Sequence, residues 1–178
     1  LVVNNDAFYA RSRTLILDVP GVVADGVYLG ETLEATNMVY TSTTHSVFFG
    51  VGSAGDGTKR VFARLVRQGS ELSSPFSGSI VLDTTPPFLG NFVPSNGAVT
   101  SRAWVKLEGA VSDDTSPAHV LVNGMWADGI VDDQFQYDRY ALESGSNVVQ
   151  LVAQDAAGNA TTQMVLIVQD TSGDSTGP

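Results

Sequence analysis

Four aspartates and four aromatic residues are the side chains whose type and setting could do chemistry. Asp113 and Asp114 stand in Ser112-Asp-Asp-Thr-Ser-Pro117, Asp155 opens Asp155-Ala-Ala-Gly-Asn159, and Asp83 closes Ile80-Val-Leu-Asp83. Calcium takes about six to eight oxygen ligands, often from flexible acidic loops, so these four are candidate calcium ligands. No Asp-x-Asp-x-Asp-Gly loop accompanies them. An aspartate in a turn also caps backbone N–H groups through an Asx-turn, and Asp155 ahead of Gly158-Asn159 suits that role. Trp104, Trp126, Tyr137 and Tyr140 could form a platform on which sugar rings stack. The same aromatics could instead cover a sheet edge or a module interface.

Catalytic chemistry is not expected. His45 and His119 are far apart, and no His-Glu-x-x-His or spaced ligand triplet occurs. Serines are plentiful, yet no hydrolase triad is legible around them. The glycine-rich Gly50-Val-Gly-Ser-Ala-Gly-Asp-Gly57 lacks the Gly-Lys-Ser/Thr ending of a phosphate cradle and reads as a loop between strands. There is no cysteine, hence no disulfide framework and no thiolate metal site.

A net charge of −10, from 19 acidic and 9 basic residues, argues against nucleic acid and against anionic membrane. With 43% hydrophobic residues the 178-residue chain can bury a sizeable core. No apolar run reaches transmembrane length. The chain opens at Leu1 and ends in Asp170-Thr-Ser-Gly-Asp-Ser-Thr-Gly-Pro178, so it is expected to be a piece of something longer. Low pI and absence of cysteine fit an exported bacterial protein.

The elements that must position these residues are strands. Thr14–Val19 alternates Leu15, Leu17 and Val19 on one face, and Pro20-Gly21 stops it. Lys59–Arg67 puts Val61, Ala63 and Leu65 on one face. Trp104–Val111 turns Val105, Leu107 and Val111 inward and Trp104, Lys106 and Glu108 outward. His119–Val122 runs into Asn123-Gly124, the strongest short hairpin signal. Gln134–Leu142, Asn147–Asp155 and Ala160–Gln169 complete the set. Val22–Leu33, with its glycines, reads as irregular turns or short strands.

Near the middle stands Leu82-Asp-Thr-Thr-Pro-Pro87. Two adjacent prolines remove two N–H donors, and no central strand passes through them. The pattern restarts after them. Val61, Ala63 and Leu65 superpose on Val149, Leu151 and Ala153, and Ile80–Thr84 superposes on Ile167–Thr171. The repeat unit has the size of a seven-stranded sandwich.

Both halves resemble the bacterial immunoglobulin-like repeats of surface and secreted proteins. The second half carries Asn123-Gly124, Gly145-Ser-Asn147 and Asp155-Ala-Ala-Gly-Asn159. The first half carries Asp56-Gly-Thr-Lys-Arg-Val-Phe62 and Ile80–Pro87, but Arg67-Gln-Gly-Ser-Glu71 replaces the acidic turn. The resemblance implies an all-β chain of two tandem immunoglobulin-like antiparallel β-sandwiches, residues 1–85 and 86–178, the latter with a trailing linker. It implies a non-enzymatic stalk or adhesion spacer of an extracellular bacterial protein, or alternatively a carbohydrate-binding accessory of a secreted glycoside hydrolase. Expected partners are neighbouring modules of the same polypeptide and a surface protein or glycan, with no membrane insertion and no cofactor beyond calcium.

Overall fold

The computed structural model describes residues 1–18, 24–39, 46–72 and 74–172. Val19, expected on the face of Leu15 and Leu17, and Pro20, Gly21, Val22 and His45 lie outside the described residues. The chain divides into two compact units, Leu1–Thr85 and Pro86–Pro178.

The first unit holds β1 (Val2–Val3), β2 (Tyr9–Ala10), β3 (Thr14–Asp18), β4 (Gly26–Gly30), β5 (Asn37–Val39), β6 (Ser46–Gly50), β7 (Gly57–Arg67), β8 (Ser70–Glu71) and β9 (Phe76–Leu82). One sheet runs β1-β3-β6 and the other β2-β9-β7-β4-β5, with β8 on β7. The chain changes sheets between β1 and β2 through a short 3-10 turn at Asn4–Asp6. All three residues have positive φ, and Asn and Asp are the non-glycine types that tolerate it best. Val22–Leu33 contains a regular strand, β4. Its glycines stand at the two ends, while Val27 and Leu29 are buried.

The second unit holds β10 (Phe88–Val93), β11 (Ala98–Thr100), β12 (Trp104–Ser112), β13 (Ala118–Val122), β14 (Met125–Trp126), β15 (Gly129–Val131), β16 (Gln134–Ala141), β17 (Gly145–Asp155) and β18 (Ala160–Gln169). Its sheets run β10-β12-β16-β15 and β11-β18-β17-β13-β14. Here too the first strand splits between the sheets. The change of sheet follows Pro94–Gly97, where Asn96 Oδ1 accepts from Leu166 N–H and Gly97 N–H donates to the Leu166 carbonyl.

The two units share one topology. The first sheet is built from the opening, third and sixth strands of β1–β9, and its counterpart from β10, β12 and β16. In each unit the short second strand pairs in parallel with the last one, β2 with β9 and β11 with β18, while the other ladders are antiparallel. The long hairpins share their register. Gly57 faces Leu82 in β7–β9, and Gly145 faces Gln169 in β17–β18, both glycines at positive φ. The internal repeat in the sequence is therefore a repeat of strand pairing.

Alternation fills the cores. Leu15, Leu17, Val27, Leu29, Val61, Ala63, Leu65 and Ile80 pack together in the first unit. Val105, Leu107, Val120, Val122, Phe135, Val149, Leu151 and Ile167 do so in the second. Each Val, Leu, Ile or Phe among them contributes roughly 1.5–3 kcal/mol by leaving water. Asn123 and Gly124 both have positive φ, as a type I′ hairpin requires, and Leu121 and Val122 pair with Trp126 and Met125 across it.

Phe135, fully buried, lies against Gly109. A Cβ at position 109 would meet Phe135 Cε1 at 2.6 Å and the Gly90 carbonyl at 2.9 Å. Backbone on one side and a packed ring on the other leave no room to yield. Gly109→Ala is expected to destabilise the second unit by about 1–3 kcal/mol, read as a lower urea midpoint at unchanged m-value.

Candidate functional site

The acidic side chains hold turns and strand ends together. Asp83 ends β9, fully buried, with its N–H donated to the Ala10 carbonyl and its Oδ1 accepting from Thr85 N–H at 3.2 Å. The larger grip on this segment comes from Asp56, which sequence reasoning did not single out. Asp56 accepts from Thr84 N–H at 2.8 Å, from the Thr84 hydroxyl at 2.9 Å and from the Thr85 hydroxyl at 2.9 Å. The Thr-Thr pair ahead of the prolines thus has a chemical purpose. Two hydroxyls and an amide tie the end of the first unit to one carboxylate. On the other side of the prolines, within the second unit, Thr161 donates its hydroxyl to the Pro87 carbonyl at 2.6 Å.

Burial alone would raise the Asp56 carboxyl, but the bonds from Thr84 and Thr85, helped by Arg13, outweigh it and hold it below the usual carboxylate range. Glu31 behaves likewise. Burial pushes it up, while Ser53 and the Gly52 and Ser53 amides bring it down further. These bonds settle the glycine-rich loop. Glu31 takes the N–H groups of Gly52 and Ser53, Arg13 donates to the Ser53 and Gly55 carbonyls, and Lys59 donates to Ala54. Two amides of this loop are thus already bound to an internal anion.

In the second unit Asp155 is 2% exposed. Its Oδ1 accepts from Asn159 N–H and its Oδ2 from Asn159 Nδ2, each at 2.8 Å, with Gly158 at positive φ between them. Asp113 Oδ1 accepts from Thr115 and Ser116 N–H, each at 2.9 Å. Both are Asx caps. The fold also brings a carboxylate oxygen of Asp113 within 4.8 Å of one of Asp155. Asp114 is exposed and outside this pair. In the first unit Arg67 stands at the position of Asp155, and the Gln68-Gly69 turn follows it, both residues at positive φ, with Asp25 Oδ2 accepting from Gln68 N–H.

The four aromatics do not form one platform. Trp104 faces outward from β12 at 40% exposure, beneath the Arg139 guanidinium, which lies 5.0 Å from its ring centroid. Trp126 is on the other sheet, 62% exposed, its ring 4.4 Å from that of His119. Tyr137 and Tyr140 sit opposite Leu107 and Val105 and pack against the core. The Tyr140 hydroxyl accepts from Asn123 Nδ2 at 2.7 Å, joining the two sheets. A Gly-x-Ser-x-Gly string does occur, Gly173-Asp-Ser-Thr-Gly177. It follows the last strand and lies outside the described residues.

Fold and site together define an all-β chain of two immunoglobulin-like sandwich units. The family model described as glucodextranase, domain B, matches residues 87–171, the second unit. Bacillopeptidase F of Bacillus subtilis (strain 168) is 37% identical over 98 residues, which is 55% of this chain and 6% of that protein. The chain thus spans a small fraction of this curated relative. Among solved structures, the fibronectin(III)-like modules of Clostridium thermocellum CbhA align over 96% of this chain and 94% of theirs, with a TM-score of 0.55 and 16% identity. At that identity the likeness shows the fold. No described helix is long and apolar enough to cross a membrane.

Two outcomes test the acidic clamps. Asp155→Ala leaves the half-buried N–H groups of Asn159 without their acceptor and should cost about 1–3 kcal/mol in chemical denaturation. Asp56, whose carboxyl is lower in the folded state, contributes stability that is present above the unfolded carboxylate pKa, about 4. That contribution is lost as pH falls through the lower folded value. Asp56→Asn should therefore lower the denaturation midpoint at pH 7 and leave little difference from the parent at pH 2–3. An equal deficit at both pH values would show that shape, not charge, is the contribution.

Proposed function

We propose that the chain is a non-catalytic pair of spacer modules within a longer secreted or cell-surface bacterial protein, of the kind formed by immunoglobulin-like repeats. One observation carries this reading: the parallel pairing of the second strand with the last in each unit. Thr161, at the start of β18, binds the Pro87 carbonyl, and β18 then runs to Gln169. Entrance and exit of the second unit are thus about a strand length apart, roughly 30 Å at about 3.3 Å per residue. A module whose ends lie at opposite poles adds its own length when joined in series. Its partners are then the neighbouring modules of the same polypeptide.

The connector suits the role. Thr84 and Thr85 are bound within the first unit and Pro87 within the second, so the freely rotating bonds between them are few. Replacing Pro86 and Pro87 by glycine should leave both units folded and broaden the distribution of angles between them. Small-angle scattering should then report a wider spread of particle dimensions than the parent. Scattering identical to the parent would mean that contacts other than the connector set the arrangement.

Calcium is a second reading, favoured by the approach of Asp113 to Asp155 in the second unit, and in the sequence expectation Asp83 and Asp114 would join them. It rests on the same module role, since an ion at an acidic turn stiffens a spacer. Millimolar calcium should raise the melting temperature relative to EDTA by mass action, and Asp113→Asn should abolish the rise. Superimposable curves in calcium and EDTA would remove calcium from the account. The alternative of a carbohydrate-binding accessory module has the family match over residues 87–171 in its favour. A neutral glycan platform needs coplanar exposed aromatics, and Trp104 and Trp126 lie on different sheets.

A further inference from the structure

The second unit contains three Lys or Arg residues, Arg102, Lys106 and Arg139, and all three gather at one aromatic side chain. Arg102, Trp104 and Lys106 line a single cleft of about 330 Å³ whose floor includes Ile167 and Ala98 and whose rim includes Thr100 and Pro94. Arg139 adds its guanidinium over the Trp104 ring. The cleft lies where the chain passes from the β10 sheet to β11 on the other sheet, so both sheets contribute to it. Its size falls at the lower end for ligand pockets.

Charge pairing inside the fold does not explain this gathering. Lys106 is engaged, with Glu108 at 2.7 Å and Asp138 at 4.0 Å. Arg102 and Arg139 have no carboxylate within ion-pair distance among the described residues, although the chain carries 19 acidic residues. Arg102 is placed by its own backbone, its N–H donating to the Thr100 hydroxyl at 3.2 Å. On a strongly acidic molecule, Arg102 thus lines a partly apolar cleft beside Trp104, and Arg139 stands over the same indole from outside the cleft lining; neither guanidinium has a carboxylate partner.

We propose that this cleft binds an acidic saccharide, a pyranose ring bearing a carboxylate. The apolar C–H face of the sugar lies against the side of the Trp104 ring that faces the cleft, away from the Arg139 guanidinium. The carboxylate is taken by Arg102 and Arg139, whose planar fork matches it in bidentate geometry. The Thr100 hydroxyl serves a ring hydroxyl. A nucleic-acid strand fits poorly, because its affinity comes from a long track of phosphate contacts, and three cations on an acidic unit make no such track.

The test uses the full chain carrying Trp126→Phe, so that fluorescence reports Trp104 alone. Oligogalacturonate, oligoguluronate and oligoglucuronate are titrated beside methyl-esterified oligogalacturonate, which keeps the rings and loses the charge. At least one free uronate should change the Trp104 emission and shift its indole N–H resonance, and the methyl ester should bind about tenfold or more weakly, a difference of about 1.4 kcal/mol. Arg102→Gln and Arg139→Gln should each weaken binding about five- to tenfold with unchanged melting temperature. Being surface residues, neither is needed for folding, so loss of binding cannot be mistaken for unfolding. Three results would each overturn the proposal: no response to any uronate at millimolar concentration, equal affinity for ester and acid, or equal affinity in the arginine variants. A response to inorganic phosphate as strong as to the uronates would also overturn it, as an unselective anion patch.

Discussion

A parallel ladder of two or three residues decides what each unit can be used for. β2 on β9 and β11 on β18 are short pairings at the edges of their sheets, yet they orient the whole chain path. An antiparallel partner for the last strand would bring entrance and exit to the same pole. The parallel partner is possible because the opening strand leaves one sheet and joins the other, and this crossing needs a sharp local turn. The units solve it differently, one with three consecutive positive-φ Asn and Asp residues, the other with Pro94–Gly97 anchored to Leu166. The same pairing follows from two different turns, which indicates that the pairing is the constraint and the turn its means.

Around this frame carboxylates act as internal anions for backbone N–H groups and hydroxyls. Asp56, Glu31, Asp113 and Asp155 each satisfy donors that loops would otherwise leave to water, and charge-assisted bonds of this kind are about twice as strong as neutral ones. Acidity here is partly structural, which is one reason a net charge of −10 does not by itself point to an ionic ligand. Against that background the cations of the second unit stand out by position rather than by number.

Much of the fold was legible because long strands with one buried face must alternate. β3, β7, β12, β17 and β18 could be read from side-chain period alone, and Asn123-Gly124 specified its hairpin through backbone conformation. β1, β2, β11 and β14 could not, being too short to show a period and paired with residues far away in sequence. β4 was hidden by glycines that turned out to mark its ends. Of the site residues, Asp155 was readable because its partner Asn159 is local. Asp56 was not, since Thr84 and Thr85 approach it only once β7 and β9 have paired. The cleft at Trp104 has the same cause, because Arg139 comes from a different strand. Tyr137 and Tyr140, half-buried against the core, lie beside a register shift in β12–β16 that breaks the simple alternation there.

The spacer account stands on the separation of entrance and exit within a unit, and that distance can be measured directly. The chain has no cysteine, so Phe88→Cys and Asp170→Cys, both at exposed positions of the second unit, can be spin-labelled without competing sites. Pulsed dipolar spectroscopy should give a narrow distribution centred near the length of β18, about 30 Å. A mean below about 20 Å, less than two thirds of that strand length, would place both ends at one pole and contradict the account.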